Sequence, residues 1–153
     1  MEIALYEPDI PQNTGTILRT AACLGVAVHI VEPAGFPVSD RAFRRAGLDY
    51  LDAVKIERHV SFEAFEDWRK ANGRRLVLLT TKAKQDYPAF SFAARDILMV
   101  GRESSGVPDR VHDSADVSLK IPMRENMRSL NIAVALAMVL GESLRQTSGL
   151  NFG

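Results

Sequence analysis

Three polar loops carry the side chains of this chain that are best suited to chemistry, and each loop follows an apolar, strand-like segment. The first loop covers residues 7–15 and leads into a helical segment that contains Arg19. An arginine about one turn into a helix can join the free backbone N–H groups at the helix start in binding an anion such as a phosphate. The simpler interpretation is that Asn13 caps the helix and that Arg19 is a solvated surface charge. This segment alone is compatible with both interpretations.

The second loop covers residues 100–108 and has a glycine near each end, Gly101 and Gly106. Glycines allow the backbone to approach a flat ligand closely, and they also suit an ordinary turn. The spacing fits neither the G-x-G-x-x-G dinucleotide fingerprint nor the G-x-x-x-x-G-K-[ST] phosphate loop. The pattern therefore argues against a dinucleotide or a nucleoside triphosphate as the ligand.

The third loop covers residues 121–131 and ends where the most apolar segment of the chain begins. Ser129 and Asn131 are candidates for helix caps, and Arg124 and Arg128 for exposed charges. Polar residues beside an apolar helix nevertheless lie at the edge of the core, where backbone groups or a ligand must satisfy their hydrogen bonds. A binding role for this loop therefore stays open.

Other kinds of site find little support in the residue inventory. His29, His59 and His112 are too dispersed in the sequence to form an H-x-x-x-H metal site. Cys23 has no second cysteine with which to hold zinc. The serines of the second loop do not stand in the G-x-S-x-G pattern of hydrolases. We therefore expect neither a bound metal nor a hydrolytic triad.

The segments that position these loops alternate between strand-like and helix-like patterns, which predicts a three-layer α/β domain with a mostly parallel sheet. Several strand-like segments are continuously apolar, so helices should cover both faces of the sheet. The predicted strands are residues 2–6, 26–31, 53–57, 75–81, 96–100 and 117–121. The predicted helices are residues 13–24, 39–46, 61–72 and 131–146, with a short further helix that has Pro108 in its first position. No linker or repeat divides residues 1–153, so we expect a single domain.

The last predicted helix contains nine consecutive apolar residues, 132–140. Such a helix has no polar face over this stretch, and a small domain offers little interior in which to bury it on all sides. Because homodimers are the commonest assemblies that cover such a face, we predict a homodimer formed through this helix.

The overall composition restricts the location and the partners. A chain of 153 residues that is 46% apolar is long enough for one core. Nineteen basic and nineteen acidic residues give zero net charge, so a nucleic-acid surface must be a local patch. The basic clusters at residues 41–45 and 69–75 are candidates for such a patch, with ordinary solvated faces as the alternative. The single cysteine, an amino terminus without a signal-peptide pattern, and longest uncharged stretches of 12 and 13 residues predict a cytoplasmic protein without a membrane span.

Taken together and in this order, the three loops resemble the three motifs of the SPOUT superfamily, which are knotted RNA methyltransferases that use S-adenosylmethionine. The matching residues are Pro11-x-Asn13-x-Gly15-x-x-x-Arg19, then Val100-Gly101-x-Glu103-x-x-Gly106-x-Pro108, then Ile121-Pro122-Met123 followed by Arg128-Ser129-Leu130-Asn131. The short chain and the segment Leu79-Thr80-Thr81-Lys82 are similar to the TrmL branch. Those enzymes are tRNA 2′-O-methyltransferases that modify the wobble nucleotide, position 34, of certain leucine tRNAs.

The resemblance implies a fold and a cofactor. The fold would be a three-layer α/β domain in which the carboxy-terminal segment forms a deep trefoil knot. The cofactor would be S-adenosylmethionine, with its adenosine held by Leu79, Gly101, Ile121 and Ser129.

The resemblance also implies a substrate and the residues that handle it. The substrate would be the anticodon stem-loop of a tRNA, with Arg19 and Asn13 in catalytic roles and Arg128 and Asn131 binding the RNA. Because an arginine stays protonated in proteins, we expect Arg19 to hold an RNA phosphate and stabilise charge on the ribose 2′-oxygen rather than to act as a base. Two alternatives are a 2′-O-methyltransferase for another tRNA or ribosomal RNA position, and a non-catalytic flavodoxin-like nucleotide-binding module.

Overall fold

The computed structural model describes residues 1–45 and 48–151, which form one parallel sheet with helices on both faces. The strands are β1 (Glu2–Tyr6), β2 (Ala27–Val31), β3 (Ile56–His59), β4 (Arg75–Leu79), β5 (Gln85–Asp86), β6 (Asp96–Val100) and β7 (Val117–Lys120). The helices are α1 (Pro11–Leu24), α2 (Asp40–Arg45), α3 (Phe62–Ala71), α4 (Asp109–Ser114) and α5 (Ile132–Gln146). The strand order is β3-β2-β1-β6-β4-β7-β5. The predicted α/β class and parallel sheet are confirmed.

Apolar residues fill both sides of the sheet, which confirms the three-layer prediction. All five residues of β6 are buried, as expected for a continuously apolar strand at the centre of a covered sheet. Helices α1 and α5 contribute to the core on one face, and α3 and α4 contribute to the core on the other.

At the sheet edges the structure differs from the prediction in two strands, one displaced and one not predicted. The strand predicted at residues 53–57 is displaced, because Leu51–Ala53 forms a 3-10 turn and the pairing of β3 with β2 begins at Ile56. The paired segment includes charged residues, which an edge strand tolerates. A prediction from the apolar pattern alone misses these residues and therefore places the strand too early in the sequence. Strand β5 was not predicted, since two exposed polar residues carry no apolar signal.

The helix ends show where local sequence signals are decisive. Ser61 caps α3 as predicted, since its hydroxyl accepts a hydrogen bond of 3.1 Å from the backbone N–H of Ala64. The interpretation of Asn13 as a helix cap was wrong. Helix α1 begins at Pro11, whose fixed φ suits the first turn. Pro108 is itself the cap residue of α4 rather than its first helical residue. Ala46, the last residue of the predicted helix 39–46, lies outside the described residues.

Helix α5 buries one side in this domain and leaves another uncovered. Leu136 and Val139 are buried, whereas Val134 and Met138 are 51% and 42% exposed. The expectation that the domain cannot bury this helix on all sides therefore holds for these residues. None of the helices in the described part of the chain is long and apolar enough to span a bilayer.

Candidate active site

A cleft of about 450 Å³ opens where β4, β6 and β7 end. In a parallel sheet the strands all deliver their carboxyl ends to one edge, so the loops that follow them meet there. The four predicted cofactor residues, Leu79, Gly101, Ile121 and Ser129, all line this cleft. The loops that follow β4, β6 and β7, which are far apart in the sequence, therefore share one site.

The second loop closes on itself by backbone hydrogen bonds. The N–H of Arg102 donates to the carbonyl of Gly106 at 2.9 Å, and the N–H of Gly106 donates back to Arg102 at 2.8 Å. A Cβ at Gly101 would lie 2.6 Å from the carbonyl carbon of Gly106. The closure of the loop therefore already requires a glycine at position 101, as an ordinary turn would, whether or not a ligand approaches it.

A chain of side-chain hydrogen bonds joins the three loops at the wall of the cleft. The amide of Asn131 donates to Asn13 Oδ1 at 3.0 Å, and Asn13 Nδ2 donates to Glu103 Oε1 at 3.2 Å. Asn131 Oδ1 also accepts from the N–H of Ala133 at 2.9 Å, so this residue caps α5 as well. The amide of Asn13 is thus engaged by protein groups on both sides.

No role was predicted for Glu103, although it belongs to the second motif. The structure places it in the wall of the cleft. Burial and the hydrogen bond with Asp9 raise the pKa of Glu103. The hydrogen bond from Glu103, with others from Ser104 and the Glu103 backbone N–H, lowers the pKa of Asp9. The pair therefore favours an ionised Asp9 beside a protonated Glu103.

Arg19 and Arg128 are exposed, and neither belongs to the described residues that line the cleft. Because α1 begins at Pro11, Arg19 lies about 12 Å along the helix from its start. Arg19 thus stands more than two turns into the helix rather than about one turn, beyond the four free N–H groups at the helix start. The guanidinium of Arg19 instead lies 5.4 Å from the ring centre of Tyr50.

One of the two predicted basic clusters is a set of ion pairs within the fold. Arg69 is buried and bonds Glu66 at 2.7 Å and Asp116 at 2.9 Å. Arg75 bonds the buried Asp96 at 2.6 Å. The interpretation of residues 69–75 as an RNA-facing patch was therefore wrong for these arginines, whose charges are neutralised by neighbours. In the cluster at 41–45, Arg44 pairs with Asp52 at the exposed surface.

The arrangement of three loops around one cleft can be compared with known proteins. The model of the SpoU rRNA Methylase family matches residues 1–141. The chain belongs to this family. Its membership confirms the resemblance to RNA methyltransferases that the three motifs predict, and leaves the flavodoxin-like alternative without support.

Curated relatives match along nearly the whole chain. A tRNA (cytidine(34)-2′-O)-methyltransferase of Beijerinckia indica is 66% identical over 148 residues, which cover 97% of this chain and 92% of that protein. The protein of the same name from Escherichia coli K12 is 41% identical over 148 residues, covering 95% and 93%.

Solved structures show the same fold. A structure described as giving insight into 2-OH methylation of C/U34 on tRNA superposes with a TM-score of 0.88 at 39% identity, covering 97% of this chain and 96% of that one. The SpoU methyltransferase AviRb from Streptomyces viridochromogenes, in complex with the cofactor AdoMet, gives a TM-score of 0.84 at 26% identity, covering 95% and 60%.

Proposed function

We propose that this protein transfers a methyl group from S-adenosylmethionine to the ribose 2′-hydroxyl of nucleotide 34, the wobble position, in leucine tRNAs. The observation that carries the proposal is the convergence of the three loops on one cleft, in a chain 66% identical to a tRNA (cytidine(34)-2′-O)-methyltransferase. A ribosomal RNA or another tRNA position is the alternative substrate.

The cleft suits S-adenosylmethionine in size and in chemistry. Its volume of about 450 Å³ is within the usual range for small-molecule sites. Leu79 and Ile121 offer apolar walls for an adenine ring, and the closed loop at Gly101 presents backbone groups at close range. Ser129 supplies a hydroxyl at the edge. When bound, the cofactor supplies a methyl group already activated by its sulfonium.

Asn13 and Asn131 fit positioning roles. Asn131 caps α5 and holds Asn13, which in turn holds Glu103, so the three loops keep a fixed spacing before any ligand enters. Such preorganisation lowers the cost of aligning a ribose oxygen with a methyl donor.

Arg19 and Arg128 fit roles on the RNA side rather than the cofactor side. Both are exposed cations outside the cleft lining. A guanidinium can grip a phosphate with two parallel hydrogen bonds and stabilise negative charge that develops on the 2′-oxygen. The proton of the 2′-hydroxyl must leave to another acceptor, since arginine does not act as a base at neutral pH.

The assembly and location belong to the same proposal. The exposed side chains Val134 and Met138 on α5 suit a homodimer contact, and a dimer would present the basic cluster 41–45 twice to one stem-loop. We expect the enzyme to act in the cytoplasm.

The test is transfer of tritiated methyl from S-adenosylmethionine to unmodified tRNA transcripts, with nuclease mapping of the product. We expect a 2′-O-methyl group at position 34 of leucine tRNAs and no transfer to a transcript with a 2′-deoxy nucleotide there. Methylation at another position, or of ribosomal RNA in preference to tRNA, would replace the proposed substrate by the alternative one.

A further inference from the structure

A cluster of two histidines and two glutamates lies at the other end of the sheet order, under α3 and away from the cleft. The strand register explains it. His29 of β2 is paired with Glu57 of β3, and His59 stands two residues further along β3, so the three side chains share one face of the sheet. No sequence pattern predicts this cluster, because His29 and His59 are 30 positions apart and meet only through strand pairing. The histidines are too dispersed in the sequence for an H-x-x-x-H site, yet strand pairing brings His29 and His59 together.

We propose that His29, His59 and Glu57 form a binding site for one divalent transition-metal ion of the zinc type. Their donor atoms lie within 4.8 Å of one another. His29 Nδ1 is 3.0 Å from His59 Nε2 and 3.9 Å from a carboxylate oxygen of Glu57. Tetrahedral zinc with bonds of about 2.0–2.1 Å requires its ligand atoms to be about 3.3 Å apart, so these separations lie on either side of the required value.

A second carboxylate orients the first histidine. Glu2 Oε2 lies 2.9 Å from His29 Nε2, and it accepts the proton on that nitrogen. The opposite ring nitrogen, Nδ1, then accepts a hydrogen bond from His59 Nε2 at 3.0 Å, and a bound ion would displace that proton and take its place between the two nitrogens. Metal-binding histidines commonly donate their other N–H to a carboxylate in this way, which fixes both the tautomer and the ring orientation. Arg74 holds the other oxygen of Glu2 at 3.0 Å.

The surroundings bury the two histidine rings and still leave an entry path for an ion. The rings of His29 and His59 are nearly fully buried. The side chain of Glu57 is 35% exposed, so an ion can enter from its side and Glu57 can move to complete the site. With three protein ligands, a tetrahedral ion would take water as its fourth ligand.

A bound ion would link the edge strand β3 to its neighbour β2. Strand β3 is the outermost strand on its side of the sheet, and an ion shared by β2 and β3 would cross-link the two strands beneath α3. Because an ion that binds only the folded state stabilises it by mass action, metal should raise the midpoint of thermal unfolding.

The single tryptophan of the chain provides a direct test. Trp68 packs against His29, with the ring centres 4.3 Å apart and the ring planes tilted by 45°. Chelator-treated protein carrying Cys23→Ser, which removes an exposed thiol, is titrated with Co²⁺ while tryptophan fluorescence is recorded. We expect saturable quenching at one ion per chain, reversal by excess Zn²⁺, and a higher unfolding midpoint with Zn²⁺.

Matched variants separate this site from adventitious binding. Glu57→Gln and Glu2→Gln should each weaken binding by about tenfold or more. His59→Gln should abolish binding, and His112→Asn on α4 should leave binding unchanged. Absence of quenching and of stabilisation at about 1 mM free ion, or equal binding by folded His59→Gln protein, overturns the proposal. If His59→Gln does not fold, the wild-type zinc complex is measured by X-ray absorption at the zinc edge. Two imidazole ligands on the zinc would support the site, and the absence of imidazole ligands would refute it.

Discussion

At the scale of single residues, hydrogen bonds from Asn13 to Glu103 and from Asn131 to Asn13 join positions that are 90 and 118 residues apart in the chain. The motifs identify these positions in the sequence, but not what each side chain touches. Asn13 has the residue type of a helix cap, yet Pro11 starts the helix two residues earlier and frees Asn13 for the cleft wall. Local preference and tertiary contact therefore compete, and here the tertiary contact decides.

The exposed position of Arg19 leads to a prediction about activity. Arg19→Ala should leave S-adenosylmethionine affinity within a few-fold, because the side chain is not in the cleft lining. Methyl transfer to tRNA should fall by about two orders of magnitude, the usual effect of losing one preorganised charge-stabilising donor. Arg19→Lys should restore little, since an ammonium cannot grip a phosphate in a bidentate manner. Calorimetry and the tritium assay on one preparation measure both quantities.

The control for this variant is Arg95→Ala, which removes an exposed arginine elsewhere and should change neither quantity. Near-normal turnover by Arg19→Ala would contradict the proposed role. A parallel loss of turnover and cofactor affinity would assign Arg19 to the pocket or the fold.

The Asp9–Glu103 pair predicts a pH dependence of stability. Because the folded protein raises the pKa of Glu103 above its ordinary value near 4.5, the folded state binds the proton more tightly than the unfolded state does. Stability is therefore lost as the pH rises from about 4.5 through the folded-state pKa. Asp9, whose pKa is lowered, loses its stabilising contribution only at lower pH.

Glu103→Gln should remove the loss at higher pH, because a neutral amide can donate to Asp9 at every pH. The unfolding midpoint of the variant should exceed that of the wild type by a few degrees at pH 8, and the two should converge near pH 4.5. Thermal unfolding followed by circular dichroism across this range measures the difference, with the exposed Glu125→Gln as control. Parallel profiles for Glu103→Gln and the wild type would show that Glu103 is not the titrating group.

At the scale of elements, the sequence predicts the buried strands well and the edges poorly. The bounds of β1 and β6 agree with the prediction because their apolar runs coincide with their pairing. At the edge, pairing of β3 extends over charged residues, and β5 has two polar residues only. An apolar pattern indicates burial rather than backbone hydrogen bonding. It therefore does not locate a strand that is paired but partly exposed.

Two glycines in different elements give opposite predictions for the same change. Gly101→Ala places a Cβ 2.6 Å from backbone of Gly106, so it should open the loop, lower the free energy of unfolding and abolish cofactor binding. Gly141 lies inside α5 with no atom within 4 Å of an added Cβ, so Gly141→Ala should stabilise the protein by about 0.5–1 kcal/mol. Urea unfolding and cofactor titration measure the pair. Normal binding by Gly101→Ala would show that the closed loop is not needed for the site.

At the scale of the whole molecule, the order of the elements predicts the three-layer arrangement but not whether the chain passes through one of its own loops. The parallel sheet and its covered faces follow from alternating patterns and continuously apolar strands. A trefoil knot depends on which loop the chain passes through, and no residue pattern encodes that, so the knot stays a prediction based on family resemblance. The same limit applies to assembly, since an apolar stretch such as 132–140 reveals surplus apolar surface without showing which side of the helix is uncovered.

The structure identifies that side, and with it a test of the homodimer. Leu136 and Val139 belong to the core of the domain, so charged residues there would unfold the chain and report nothing about assembly. Val134 and Met138 are one turn apart on α5 and about half exposed, so Val134→Asp with Met138→Asp should leave the fold intact and place two charges in the proposed interface. We expect light scattering at micromolar concentration to give a dimer for the wild type and a monomer for the double variant. Val60→Asp, which alters a 79% exposed apolar residue outside α5, should remain dimeric. A monomeric wild-type protein would refute the dimer itself, whereas a dimeric, folded double variant would move the interface to another surface.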